Sequence, residues 1–295
     1  MNYYRAPDIR NIVKQALKED VGRGDITTKR IIPEAAKITA VIIARERGIL
    51  AGIDIAGSVF KAADKRIRWK AVKRDGERIK PKAIAAKIYG PAASILSAER
   101  TALNFLSFLS GIATRTNIFV EKIRPFHAKI LDTRKTLPGL RQLEKYAVRV
   151  GGGYNHRLGL YDMVLIKENH IDASGHKNIR VLVNNARNNI PGRVSVEIEA
   201  RNLKEFKEAL CAKPDIIMLD NMPVKNIKEA VALRDASSRA SLRDRMGRAK
   251  MPRLEASGNI KFNTIRAYAA TGVDFISLGT LTKDVRALDF SLEVR

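Results

Sequence analysis

Residues 194–221 read VSVEIEARNLKEFKEALCAKPDIIMLDN, and this stretch decides the fold. An apolar segment, 194–198, ends on Glu199. A helical stretch, 203–212, follows it, and a second apolar segment, 216–219, ends on Asp220 and Asn221. Short strand, polar tip, helix and strand again is the reading of a parallel α/β unit, because a crossover helix returns each strand in the same direction. The unit recurs on either side. Residues 128–131 run into Asp132-Thr133-Arg134-Lys135, and 163–166 into Lys167-Glu168-Asn169-His170. Residues 254–256 run into Ser257-Gly258-Asn259, and 275–278 into Gly279-Thr280. Six units are fewer than the usual eight. They predict an incomplete TIM-like α/β barrel with every polar tip at one end, and a doubly wound sheet fits the same rhythm.

The first 110 or so residues are built differently. A helix fits 9–18, with Ile9, Ile12, Val13, Ala16 and Leu17 on one face, and it ends before the turn-rich Gly22-Arg23-Gly24-Asp25. Strand-like runs at 38–44, 67–72 and 83–89, with a helix at 55–63, predict an α+β domain on an antiparallel sheet. A long helix then covers 97–123, with Ala102, Phe105, Leu106, Leu109 and Ala113 as its apolar stripe. Ser97 is placed to cap it, Glu99 suits its positive end, and Gly111 is read as an interruption marking the junction. Arg100 lies off the stripe and must face solvent, another subunit or a ligand. The expected division is an N-terminal α+β domain at 1–112, the barrel at 113–280, and a segment 281–295 that packs back on the first domain.

Composition removes several function classes. The chain has 295 residues and 45% apolar content, enough for a sizeable core. One cysteine, Cys211, excludes an internal disulfide and a cysteine-based zinc cluster, and four histidines leave little for a His-rich metal site. The start lacks the apolar stretch of a signal peptide, and no uncharged apolar run approaches the ~20 residues of a membrane span. A cytoplasmic protein without a membrane partner is expected. The net charge of +24 attracts anions at long range. The basic stretches 61–82 and 234–253 show no interleaved aromatics to stack on bases, so a solvated basic face is expected, not a specific nucleic-acid site.

The strand ends carry the chemistry. Arg134, Lys135, His156, Arg157 and Lys167 would share one rim with the acids Glu199 and Asp220. That many cations in one cavity repel unless an anion joins them, so a polyanionic ligand is the economical explanation. Ser257-Gly258-Asn259 opening a helix over 260–270, together with Leu278-Gly279-Thr280, has the composition of a phosphate cradle. Glu199 and Asp220 could reach Mg²⁺ through water, contact ribose hydroxyls, or stabilise a developing cationic sugar carbon. Cys211, at the end of a helix with no base beside it, reads as a packed or surface thiol.

With these residues in place, the sequence resembles the quinolinate phosphoribosyltransferase family over essentially its whole length. The resemblance rests on Gly24-Asp25-Ile26-Thr27-Thr28, Glu99-Arg100-Thr101-Ala102-Leu103-Asn104, Asp132-Thr133-Arg134-Lys135-Thr136, Asn155-His156-Arg157, Lys167-Glu168-Asn169-His170, residues 197–199, Asp220-Asn221 and residues 254–258. It implies phosphoribosyl transfer from phosphoribosyl pyrophosphate to the ring nitrogen of quinolinate, with decarboxylation to nicotinate mononucleotide, in NAD biosynthesis. It also implies Mg²⁺ and a homodimer with shared active sites, in which Arg100 reaches the partner's site. Quinolinate would meet Arg100, Thr133, Arg134, His156, Arg157 and Lys167. The phosphoribosyl side would comprise Lys135, Glu199, Asp220, Ser257, Gly258, Asn259, Leu278, Gly279 and Thr280. Lys135, Lys167, Glu199 and Asp220 are the expected catalytic groups. The rival within the fold acts on nicotinate, a monocarboxylate that needs fewer cations; the rival outside it is a basic nucleic-acid-binding protein, against which Glu199 and Asp220 argue.

Overall fold

A computed structural model describes residues 7–175, 178–189, 194–243 and 251–295. In chain order its elements begin with α1 (Pro7–Val21), α2 (Ile26–Ile31), β1 (Lys37–Ala44), β2 (Gly48–Ile49), α3 (Ile53–Ala63), β3 (Arg68–Ala71), β4 (Arg78–Ile79), β5 (Ile84–Pro91) and α4 (Ala92–Lys122). They continue with β6 (Lys129–Leu131), α5 (Arg141–Val150), β7 (Val164–Ile166), α6 (Glu168–Ala173), α7 (Ile179–Asn188), β8 (Val196–Ala200) and α8 (Leu203–Ala212). The last are β9 (Ile216–Asp220), α9 (Val224–Arg243), β10 (Arg253–Ser257), α10 (Ile265–Ala269), β11 (Phe275–Ser277), α11 (Thr280–Lys283) and β12 (Phe290–Val294). Two compact units result. One holds the chain up to Ile118 with Lys135–Gly153 and Thr280–Arg295; the other holds Phe119–Arg134 and Tyr154–Gly279.

In the first unit an antiparallel sheet runs β12-β1-β5-β3. β1 packs Ala40, Ile42 and Ala44 at no exposure, and α3 buries Val59 and Phe60. Each large apolar side chain so buried contributes on the order of 2 kcal/mol. Phe60 stacks on Trp69 with ring centroids 5.6 Å apart. Long helix α4 starts at Ala92, directly after β5, so Ser97 and Glu99 lie in its second turn and do not cap it. Ser97 instead donates to Asp25 Oδ2 at 3.0 Å, and Asp25 is itself the N-cap of α2, accepting from the Thr28 amide at 3.0 Å. Nor does Gly111 interrupt α4. A Cβ there would collide with the Arg286 backbone, so this glycine permits close approach of a neighbouring segment, a use that sequence alone does not separate from helix breaking.

The second unit carries one sheet of six strands, order β6-β11-β10-β9-β8-β7, all parallel. This is the incomplete α/β barrel, and the open alternative for the rhythm falls away. β6 and β7 are its two ends, and Tyr154 continues past β6 by a parallel bridge to Leu131. Leu131, Met163, Ile216 and Phe275 form an apolar floor inside it. Arg234, on α9, is not a solvated charge of a basic face: it pairs with Asp274 at 2.7 Å with its side chain only 14% exposed. Residues 244–250 of that basic stretch lie outside the described residues. Among the described residues no helix is long and apolar enough to cross a membrane. Cys211 is an exposed free thiol.

Candidate active site

The strand register sets the site. Parallel neighbours at one register point to the same face, and residues two apart on a strand share a face. Glu199 is level with Met218, Met218 with Glu255, and Asp220 with Ser257. Glu197, Glu199, Glu255, Asp220 and Ser257 therefore face one side, the side that also carries Ile216, level with Glu197, and Phe275, level with Glu255. Glu197 and Glu255 have no exposed surface; Asp220 and Ser257 lie at the half-buried end.

Lys167 follows β7 directly and forms an ion pair with Glu199. Its backbone N–H donates to His170 Nδ1 at 2.9 Å, which folds the strand end into α6. Asp132, fully buried after β6, holds the next segment: the His156 N–H donates to its Oδ1 at 2.9 Å, and the Asn155 amide to its Oδ2. Arg157 is thereby brought in, 8% exposed, with its Nη1 donating to the Met163 carbonyl at 3.2 Å and its Nε buried without a partner. Burial pulls the Arg157 guanidinium below its ordinary value and the positive charge of Arg134 adds to this, while Glu197, Asp162 and Glu199 oppose it. Arg134 and Arg157 thus face each other's charge. A dicarboxylate arriving between them would relieve both the repulsion and the orphaned donor.

The phosphate-type loop has a different construction from the expected one. No helix starts at Asn259, since α10 spans only Ile265–Ala269. Gly258 and Asn259 instead take left-handed conformations, φ 92° and 49°, in a loop after β10. A Cβ on Gly258 would strike the Asn221 side chain, and the Asn259 amide donates to Asn221 Oδ1 at 3.0 Å. Asn221 donates its own N–H to the Ser257 carbonyl at 2.9 Å and its side-chain amide to Asp220 Oδ2 at 2.7 Å. Asp220, Asn221, Ser257, Gly258 and Asn259 are therefore one hydrogen-bonded group. At the end of β11, Leu278 is buried and donates its N–H to the Leu131 carbonyl at 3.0 Å, with half-buried Gly279 beyond it.

The second unit thus gathers Thr133, Arg134, His156, Arg157, Lys167, Glu199, Asp220, Ser257, Gly258, Asn259, Leu278 and Gly279. Lys135 and Thr280 follow Arg134 and Gly279 in the chain and belong to the first unit, as does Arg100, which is exposed on α4. Lys135 accepts from the Thr282 hydroxyl on its carbonyl at 2.7 Å, and its side chain is exposed.

Sequence reasoning gave no role to three residues deep in the site: Asp132, Glu197 and Glu255. His156 Nε2 lies 3.0 Å from Glu197 Oε2 and 3.6 Å from Glu255 Oε1, and Ser277 donates to Glu255 at 2.5 Å. Burial raises both carboxyls, helped by the charge of Glu199 on Glu197 and of Glu197 on Glu255. The signal that could have found Glu197 is its spacing of two from Glu199 in an otherwise apolar strand, which puts both on one face.

Comparison with known proteins places the chain among relatives along both units. Residues 25–110 match the family model for the quinolinate phosphoribosyl transferase N-terminal domain, and residues 112–293 that for its C-terminal domain. The chain is 40% identical over 286 residues to a probable nicotinate-nucleotide pyrophosphorylase (carboxylating) of Bacillus subtilis, covering 97% of this chain and 93% of that one. It is 42% identical over 285 residues to a protein of the same description from Methanocaldococcus jannaschii, covering 96% of each. The solved nicotinate-nucleotide pyrophosphorylase of Francisella tularensis superposes with a TM-score of 0.87 at 42% identity, over 99% of this chain and 98% of that one.

Proposed function

Because the chain belongs to the quinolinate phosphoribosyltransferase family, we propose that the rim of its parallel sheet holds quinolinate and phosphoribosyl pyrophosphate side by side and joins them. The enzyme is a decarboxylating pentosyltransferase of NAD biosynthesis. The pyridine nitrogen attacks the anomeric carbon, a C–N bond forms, and the C–O bond to pyrophosphate breaks. The ring nitrogen becomes positive, so the adjacent carboxylate leaves as CO₂. The ring carbon keeps that electron pair and takes up a proton, giving nicotinate mononucleotide. Quinolinate's nitrogen is already a nucleophile, so the protein's work is positioning and charge stabilisation, with no strong base required.

The observation that carries this reading is the meeting of Arg157, buried with an unpartnered Nε, with the charges of Arg134, Lys167 and Glu199. Arg134, Arg157, Lys167 and Thr133 take the two carboxylates of quinolinate, with His156 beside them. The Asp220–Asn259 group takes the phosphoribosyl moiety together with Leu278 and Gly279 at the end of β11, and with Lys135 and Thr280, which follow Arg134 and Gly279 in the chain. Glu199 and Asp220 face the cationic ribosyl carbon.

Mg²⁺ fits the oxygen donors of this rim. Glu199 is engaged by Lys167 and Asp220 by Asn221, so both would reach the ion through its water shell, while pyrophosphate oxygens hold it directly. Held there by these residues through water, Mg²⁺ would supply charge neutralisation for the departing pyrophosphate. The working assembly is a homodimer in the cytoplasm in which Arg100, exposed on α4, completes the partner's quinolinate site.

The test is CO₂ release from quinolinate with phosphoribosyl pyrophosphate and Mg²⁺, with nicotinate run in parallel. Release from quinolinate alone is expected. Pyrophosphate release with nicotinate, and none with quinolinate, would overturn the substrate while leaving the phosphoribosyl site in place.

A further inference from the structure

We infer that Glu197 and Glu255 are positioning residues that lock the His156 ring and, through it, hold Arg157 in place for the substrate. The inference rests on the quinolinate reading of Arg157 given above. Glu197 stands on β8 and Glu255 on β10, with β9 between them, both facing the barrel interior at zero exposure. Neither Glu197 oxygen, nor Glu255 Oε2, is reached by an amide or hydroxyl donor among the described residues. Buried carboxylate oxygens left so are costly, and something must satisfy them.

The imidazole is the N–H group that comes nearest: His156 Nε2 lies 3.0 Å from Glu197 Oε2 and 3.6 Å from Glu255 Oε1. Arg157 donates its backbone N–H to His156 Nδ1 at 2.8 Å. Nδ1 is therefore the bare nitrogen of a neutral ring, and the ring proton sits on Nε2, which lies against Glu197 and Glu255. A second proton, shared between the carboxyls, removes the remaining charge conflict, since two like charges at this depth do not both persist. Ser277 donates to Glu255 Oε1, the oxygen that also lies nearest the ring, and so fixes that carboxyl. The consequence runs outward: the carboxyls fix the ring, the ring fixes the Arg157 N–H, and Asp132 fixes the His156 N–H. Arg157 is then pinned on both sides of its peptide, and its guanidinium meets the substrate without searching.

The same three side chains also bring ligand atoms close enough to surround a cation. The ring argues against that occupant. A metal on Nε2, with Nδ1 accepting from Arg157, would leave the ring with no proton at all, and an imidazolate is not formed to hold a divalent ion this way.

The experiment compares Glu197→Gln and Glu255→Gln in the full-length enzyme, with steady-state kinetics and ¹⁵N spectra of the imidazoles. Only four histidines contribute signals. In the wild type, His156 should show the Nε2–H tautomer. Glu197→Gln should raise KM for quinolinate about tenfold, the scale of one charge-assisted hydrogen bond, with KM for phosphoribosyl pyrophosphate within about twofold. Glu255→Gln copies the protonated partner and should keep the tautomer and stay within about threefold in KM. An Nδ1–H tautomer in the wild type would overturn the inference even if neither variant folds. Equal rises in both KM values for Glu197→Gln would also overturn it, as a merely structural effect. So would stoichiometric zinc or manganese released by a chelator with a shift of the His156 resonances.

Discussion

Lys167 and Glu199 form an ion pair across neighbouring parallel strands, one register step beyond the pairing of Ile166 with Ile198. The two are unequally placed: the lysine side chain is 42% exposed and the glutamate 12%. Lys167 can therefore turn to an arriving carboxylate while Glu199 stays where it is. The glutamate is the counter-ion of the lysine in this structure, and in the proposed reaction it would face the ribosyl cation once the lysine has turned away.

Removing the anion alone should separate these two uses. Glu199→Gln keeps the shape and frees Lys167, so KM for quinolinate should hold or fall. Turnover should drop about 100-fold, the usual scale for deleting one preorganised electrostatic contact. Adding Asp220→Ala should lower kcat further and still spare quinolinate affinity. Steady-state kinetics with both substrates varied checks this, and an equal loss in kcat and in affinity would remove the transition-state role from both acids.

The barrel rhythm was legible because strand-end chemistry repeats. Six apolar segments each stop at a polar cluster, and residues 216–219 against Ile216–Asp220 show how little the boundaries moved. What sequence hid was what a residue touches. Gly111 reads as a helix breaker until the Arg286 backbone is seen beside it, and Ser97 as a cap until β5 is seen to run straight into α4. Asn259 reads as a helix start, yet the chain turns left-handed there. In the candidate site, the rim residues stand out in sequence by their charge. Glu197 and Glu255 do not, because an acid inside an apolar strand gives no local sign of the histidine that meets it from 41 and 99 residues away in sequence.

Gly111→Ala makes the packing argument testable through its sign. In an open helix, alanine for glycine is worth about 1 kcal/mol of stabilisation. Here the added methyl meets the Arg286 carbonyl and the Ala287 backbone, which cannot swing aside as a side chain could. Overpacking of this kind costs about 1–3 kcal/mol, so the variant should unfold at a lower temperature. A rise in Tm would mean that the segment after α11 can move away freely.

The buried acids should also leave a mark on stability. Burial and mutual repulsion hold Glu197 and Glu255 above their unfolded values, so the folded state binds more protons than the unfolded one. Their contribution is present in full below the unfolded carboxylate range, near pH 4, and is lost as pH rises through the folded values. Glu255→Gln cannot ionise and relieves Glu197 of a like charge. Its stability relative to the wild type should therefore climb with pH, by at most about 1.4 kcal/mol per unit. Denaturant melts at pH 5, 6, 7 and 8 would read that difference, and a flat difference would mean that Glu255 is not held above its unfolded value.

Arg100 is exposed on α4, within the first compact unit, whereas Lys167 sits on the rim of the second. If Arg100 serves the partner's site, Arg100→Ala and Lys167→Ala each inactivate both sites of their own homodimer. Co-expressed, the two chains form mixed dimers in which one site carries both lesions and the other carries neither. That restores about a quarter of the wild-type activity, because half the dimers are mixed by random pairing and each has one intact site. Activity measured on co-purified, differently tagged chains checks this. If Arg100 served its own chain's site, every site in the mixture would retain one lesion, and proven exchange without recovered activity would place the arginine in cis.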